Sequence, residues 1–190
     1  EEQFSGEFGD SAVPIDLDLV ARNGRVEVFG WDESGWSAVI RKKVRAANEE
    51  RAKERAAEIS TFTAGPGRLV FEEKPFQGLS WGNSGVSIEL HVPRSRVYNV
   101  IARSSNGRVI VEGLRCVKFS GRTANGKVVA RGIEAEDVEA NTANGGVYFE
   151  GSGARVECRT ANGSVTFTPH GGRDTKADLH TSNGSIKVRI

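Results

Sequence analysis

Apolar and polar residues alternate with period two through most of the second half of the chain, and the alternation restarts at regular intervals. Val109/Val111, Val128/Ala130, Val147/Phe149, Val165/Phe167 and Ile186/Val188 each follow an Asn-Gly pair. Val100/Ala102, Phe119/Gly121, Val138/Ala140, Val156/Cys158 and Ala177/Leu179 each precede one. Such alternation marks half-buried strands. The pairs begin at Asn106, Asn125, Asn144, Asn162 and Asn183, separated by 19, 19, 18 and 21 residues, with an earlier copy at Asn23. A threonine two places before the Asn (Thr123, Thr142, Thr160, Thr181) continues the inward parity. Each repeat reads as strand, Asn-Gly turn, strand and a looser turn, so the chain is expected to be all-β.

Two architectures fit this pattern. Asn-Gly between alternating strands is a strong hairpin signal, because both residues tolerate positive φ, and parity permits an antiparallel β-meander. The alternative is a two-sheet β-solenoid in which each repeat of 18–21 residues forms one coil. Coils about 4.8 Å apart would stack Asn on Asn, Thr on Thr and Val on Val, which gives the repeated letters a reason. Stacking would also set Arg103 over Arg122 and Glu139 over Glu157, a small cost that offset pairs such as Glu157 beside Arg159 can relieve. The repetition favours the solenoid.

Between the first two Asn-Gly pairs the texture changes. Residues 36–46 and 68–74 read as strands, and residues 48–59 as a helix, rich in alanine and carrying Glu49 and Lys53 at i,i+4. Strict alternation returns over residues 86–93. The expected organisation is one repeat β domain over 1–190, with an elaborated insertion at about 31–80 and regular coils from about 86 to 190.

Composition adds mainly exclusions. Twenty-three glycines against five prolines suit many tight turns. A net charge of +1 gives no overall field for nucleic acid, and no apolar run is long enough for a spanning helix, so neither nucleic acid nor membrane insertion is expected. The chain contains no methionine, which raises the expectation of a signal or anchor removed from its N-terminus. Cys116 and Cys158 lack metal-ligand spacing. In the solenoid they lie two coils apart, beyond disulfide reach, so both should be free and Cys158 should serve as a small core residue.

The order of pieces, "GRVEVFGWDESGWSAVIRKKVRA", then "VSIELHVPRSRVYNVIARSSNGRVIVEGL", then the Thr-x-Asn-Gly-x-Val run, resembles a family of largely bacterial repeat proteins designated candidate adhesins of unknown function. The resemblance implies a β-solenoid-like domain, exported or held at the cell envelope, and supplies no catalytic residues.

The residues themselves offer no catalytic, cofactor or metal constellation. His91, His170 and His180 share no repeat offset, and no nucleophile elbow, zinc motif or phosphate-cradling loop occurs. An outward column of Ile110, Val129, Tyr148 and Thr166, ending in Lys187, is the candidate interaction surface, because stacked apolar residues form a contiguous patch. The plainer expectation is that the insertion, with Phe71 and Phe76, covers it. Trp31, Trp36 and Trp81, joined by Tyr148, form a candidate glycan platform, with packing of the insertion as their plainer role. The last strand, near Ile186, should leave an edge that needs a cap, another copy or further chain. The function expected is a non-catalytic envelope or surface scaffold or adhesion domain acting through protein–protein contacts or self-association. The alternative is a glycan-binding module; cytoplasmic residence is the alternative location.

Overall fold

The computed structural model describes residues 1–9, 14–46, 48–74, 84–171 and 174–190. Its strands are β1 (Glu2–Glu7), β2 (Ile15–Val20), β3 (Val26–Trp31), β4 (Gly35–Val44), β5 (Ser60–Gly65), β6 (Arg68–Glu73), β7 (Ser84–Pro93), β8 (Val97–Ser104), β9 (Val109–Glu112) and β10 (Arg115–Thr123). They continue as β11 (Val128–Asn144), β12 (Val147–Asn162), β13 (Val165–Pro169), β14 (Lys176–Asn183) and β15 (Ile186–Val188), and the helix is α1 (Glu49–Glu58). The fold is an all-β solenoid.

Its coils are parallel and in register. On one face β3, β9, the first part of β11, the first part of β12, β13 and β15 lie side by side, so that Val26, Val109, Val128, Val147, Val165 and Ile186 form one column. On the other, β2, β8, β10, the second part of β11, the second part of β12 and β14 align Leu19, Ala102, Gly121, Ala140, Cys158 and Leu179. Pairing runs between repeats and is parallel, which rules out the meander of hairpins. The inward positions of both faces interdigitate as one core. Like charges do stack, Arg103 beside Arg122 and Glu139 beside Glu157. Diagonal ion pairs relieve them: Arg122 binds Glu139, and Arg159 binds both Glu157 and Asp178 at 3.1 Å.

The Asn-Gly turns work differently from the hairpin reading. No non-glycine residue among those described has positive φ. Glycine is needed for closeness: a Cβ on Gly126 would lie 2.1 Å from the carbonyl oxygen of Gly107, the equivalent residue one coil earlier. The inward threonines tie adjacent coils together. Thr123 Oγ1 donates to the Gly107 carbonyl, Thr142 to Gly126, Thr160 to Gly145 and Thr181 to Gly163, at 2.8–3.0 Å. The stacked asparagines bond each other along the column. Nδ2 of Asn106, Asn125, Asn144, Asn162 and Asn183 donates in turn to Oδ1 of Asn23, Asn106, Asn125, Asn144 and Asn162, at 2.7–2.9 Å.

The stack has unlike ends. β6 and β7 form a coil below β2 and β3, through the parallel pairs β2–β6 and β3–β7. Beyond it, β4 adds antiparallel to β7, β1 to β4, and β5 to β6. Helix α1 joins β4 to β5; Asn48 caps it by accepting from the Arg51 N–H, and Lys53 meets Glu49 at 2.8 Å. Phe8, Trp36 and Phe62 close the core there, with ring centroids 6.5 Å (Phe8–Trp36) and 5.6 Å (Trp36–Phe62) apart. At the other end β14 pairs only with β12 and β15 only with β13 among the described residues.

Candidate functional site

The outward column is continuous and open. Backbone register sets Ile110, Val129, Tyr148, Thr166 and Lys187 in consecutive strands of one face. Ile110, Val129, Tyr148 and Thr166 are each half-buried. Among the described residues the insertion does not lie over them. Its strand β4 extends the same sheet edgewise beyond β7, because it finds hydrogen-bonding partners at the sheet edge and its apolar side chains Trp36, Ala38 and Ile40 find the core there. Phe71, expected as a cover, is fully buried inside β6. Phe76 lies outside the described residues.

Tyr148 is the most constrained side chain of the column. Its hydroxyl donates to Glu150 Oε2 at 2.6 Å, and the Arg131 guanidinium stands 5.3 Å from its ring centroid. Arg131 also bonds Glu112 at 3.1 Å. The hydrogen bond to the Glu150 carboxylate raises the phenol's pKa above its ordinary value. A charged row (Glu112, Arg131, Glu150) thus borders an apolar row.

Among the described residues, the candidate glycan residues Trp31, Trp36 and Tyr148 are not brought together. Trp36 is 6% exposed and faces the core, so it offers no ring to a sugar. Trp81 lies outside the described residues. Trp31 is half-buried on the same outer face as Tyr148, but β9 and β11 separate their strands, about 14 Å at the usual strand spacing. Trp31 instead meets His91, at 5.4 Å between centroids, and His91 meets Phe29 at 5.4 Å. The indole N–H donates to the Gly35 carbonyl at 2.8 Å, fixing the ring. This trio was legible only with the pairing of β3 to β7, which places residues 60 positions apart side by side.

The chemistry expected of the remaining groups is quiet. Cys116 and Cys158 are free and buried, and burial pushes each thiol up to about 12. Among the described residues no group of three or more His, Cys, Asp or Glu side chains is placed to hold a metal ion. No described helix is long and apolar enough to cross a membrane. On the opposite face a hollow of 190 Å³ opens over Ser120, between Arg103, Lys118 and Arg122, smaller than the usual cleft for a small molecule.

No protein-family model matches the chain, and no curated protein matches it in sequence. Among solved structures it is similar to a candidate cell adhesion protein from Clostridium sporogenes, with a TM-score of 0.51 and 9% identity over 98% of each chain. It also aligns with a candidate adhesin from Bacteroides fragilis, with a TM-score of 0.36 and 12% identity, covering 100% of this chain and 98% of that one. The first likeness is one of fold alone. It agrees with the solenoid that the sequence resemblance implies; the Thr-x-Asn-Gly-x-Val motif itself has no matching family model.

Proposed function

We propose that this chain is a non-catalytic scaffold or adhesion domain, displayed at the cell surface or envelope, that binds a protein partner through the face carrying Ile110, Val129, Tyr148 and Thr166. The observation that carries this reading is the open apolar column in strand register, bordered by Glu112, Arg131 and Glu150. A rigid sheet presents such a row without ordering cost, since its backbone is held on both sides. The fold likeness to a candidate cell adhesion protein from Clostridium sporogenes supports the same class of role.

Beads coated with the protein and tested for attachment to cells and to immobilised surface proteins provide the measurement. Val129→Lys and Tyr148→Ala should each reduce attachment about tenfold, because the centre of a patch carries most of its binding energy. Lys118→Glu, on the opposite face, should leave attachment unchanged. Equal attachment by all of these variants would remove this face from consideration.

A second reading rests on Trp31, Phe29 and His91, whose adjoining rings could receive a sugar ring. A glycan that shifts tryptophan emission in the wild type and not in Trp31→Phe would support it. Emission unmoved across a glycan panel would dismiss it.

A further inference from the structure

The outer face opposite the apolar column is a lattice of charges with one gap. Strand register sets Asp18, Ile101, Ser120, Glu139, Glu157 and Asp178 in a single row across the coils. Two residues further along the strands, Arg103, Arg122, Asn141 and Arg159 form the neighbouring row. Where both rows carry charge they neutralise each other. Arg159 bonds Glu157 and Asp178, each at 3.1 Å, and Arg122 bonds Glu139. In the coils of Ile101 and Ser120 the acidic row is interrupted, and there Arg103 stands directly beside Arg122. Like charges opposite each other in adjacent strands cost stability, and no side chain of the interrupted row offsets them.

The 190 Å³ hollow opens at this gap, with Arg103, Arg122, Lys118, Asn99 and Glu139 around it. It exists because Ser120 is short; that residue forms the floor and is 5% exposed. The carboxylates nearby are already engaged from outside the hollow. Asp18 is held by Arg68 at 3.3 Å, and Asp16 by the Asn99 amide at 3.0 Å. Asp137, in register with Lys118, is held by Arg155 at 3.1 Å. Glu139 Oε1 accepts from both Arg122 and Asn141. Arg103 and Lys118, by contrast, make no ion pair among the described residues. Three cations against the one carboxylate of Glu139 leave an excess of two positive charges around the hollow.

We propose that this hollow binds a phosphate group, either the free ion or the monoester of a small molecule. The Arg103 and Arg122 guanidiniums hold it, the Ser120 hydroxyl donates from the floor, and Lys118 adds charge at the rim. The ligand takes the place that an acidic side chain fills in other coils. Charge selects the class: a phosphate monoester carries close to two negative charges at neutral pH, whereas a carboxylate or a diester carries one. Geometry agrees, since the forked N–H groups of arginine match phosphate oxygens in pairs. Size agrees as well. At about 30 Å³ per water the hollow has room for about six waters, enough for one tetrahedral group and too little for the remainder of a larger ligand.

Amide NMR of the ¹⁵N-labelled protein, titrated with methyl phosphate at constant ionic strength, tests the proposal. Saturable shifts should be confined to residues 100–103 and 118–122 and their strand neighbours, with a Kd of about 1 mM or tighter. A second arm with inorganic phosphate identifies the source. Tighter binding of the free ion assigns the site to it, and tighter binding of the ester assigns it to the phosphate of a larger molecule. Dimethyl phosphate, with a single charge, should bind at least about tenfold more weakly. Arg103→Gln should weaken methyl phosphate by at least about tenfold, and Arg103→Lys, which keeps the charge without the fork, by less. Ser120→Glu puts a carboxylate in the hollow and should abolish the shifts. Unchanged amide positions on the other face report that each variant is folded. The absence of saturable shifts up to about 20 mM overturns the proposal. So does equal binding of dimethyl phosphate, or a response that survives both Arg103→Gln and Ser120→Glu. The hollow and the Ile110–Thr166 column lie on different sheets, so failure of one reading leaves the other standing.

Discussion

Thr142 Oγ1 donates a hydrogen bond to the carbonyl oxygen of Gly126 at 3.0 Å, one coil earlier in the stack. Thr142 is buried, and its counterparts at Thr123, Thr160 and Thr181 make the same bond. The recurring Thr-x-Asn-Gly is thereby one joint between coils: threonine ties inward, asparagine ties outward, and glycine allows the approach.

Removing the hydroxyl of Thr142 while keeping its shape isolates the inward tie. Thr142→Val strands the Gly126 carbonyl without that donor and should destabilise the protein by about 1–3 kcal/mol. Thr142→Ser keeps the donor and should cost less than about 1 kcal/mol. Chemical denaturation of the three proteins measures the difference. Equal midpoints for the valine and serine variants would show that the bond contributes nothing net.

Gly126→Ala tests the approach distance. The added methyl would lie 2.1 Å from the Gly107 oxygen, a backbone atom that cannot rotate aside. The coils must part locally, at a cost of about 3 kcal/mol or more. Gly67→Ala, in a β5–β6 turn with nothing within 4 Å of the new methyl, is the control and should stay within about 0.5 kcal/mol. Thermal unfolding that leaves Gly126→Ala level with Gly67→Ala would contradict the close-packed turn.

Much of this architecture was legible in the sequence because a solenoid repeats its own environment. The parity of Val128, Ala130 and Thr123 and the helix over residues 48–59 follow from local spacing, and the free cysteines from their separation by two coils. What was not legible depends on long-range pairing. Nothing in residues 68–93 says that they form a coil beneath β2 and β3, out of chain order. The alternation in β4 reads the same whichever side faces inward, so Trp36 was a candidate surface ring until its pairing with β7 buried it. Asn-Gly pointed to positive φ, and the structure uses it for a ladder and a close approach. At the candidate site the column Ile110–Thr166 was legible from parity, whereas the Trp31–His91–Phe29 trio was not.

The cysteines should be inert while the protein is folded. A thiol at about 12 has roughly one molecule in 10⁵ as thiolate at pH 7, and burial of both residues adds a steric barrier. A thiol-reactive dye should label neither Cys116 nor Cys158 in the native protein and both in denaturant. Rapid labelling of either one under native conditions would show that its coil opens on the time scale of the reaction.

Glu73 gives a pH signature. It occupies the position of the threonine column in the β6–β7 coil, 4% exposed, and its Oε2 accepts from the N–H groups of Arg22 at 2.5 Å and Asn23 at 3.1 Å. Burial raises its pKa, with those two hydrogen bonds acting in the opposite sense but not cancelling it. A carboxyl whose folded pKa exceeds its unfolded one stabilises the fold fully below the ordinary carboxylate range, and that contribution is lost as pH rises through the folded value. Glu73→Gln keeps an oxygen for both N–H groups and removes the ionisation. Its Tm relative to wild type should therefore climb as pH rises above the ordinary carboxylate range and then level off. If the variant instead falls behind the wild type as pH rises, the charged carboxylate is the form that the first Asn-Gly turn requires, and burial is the lesser influence.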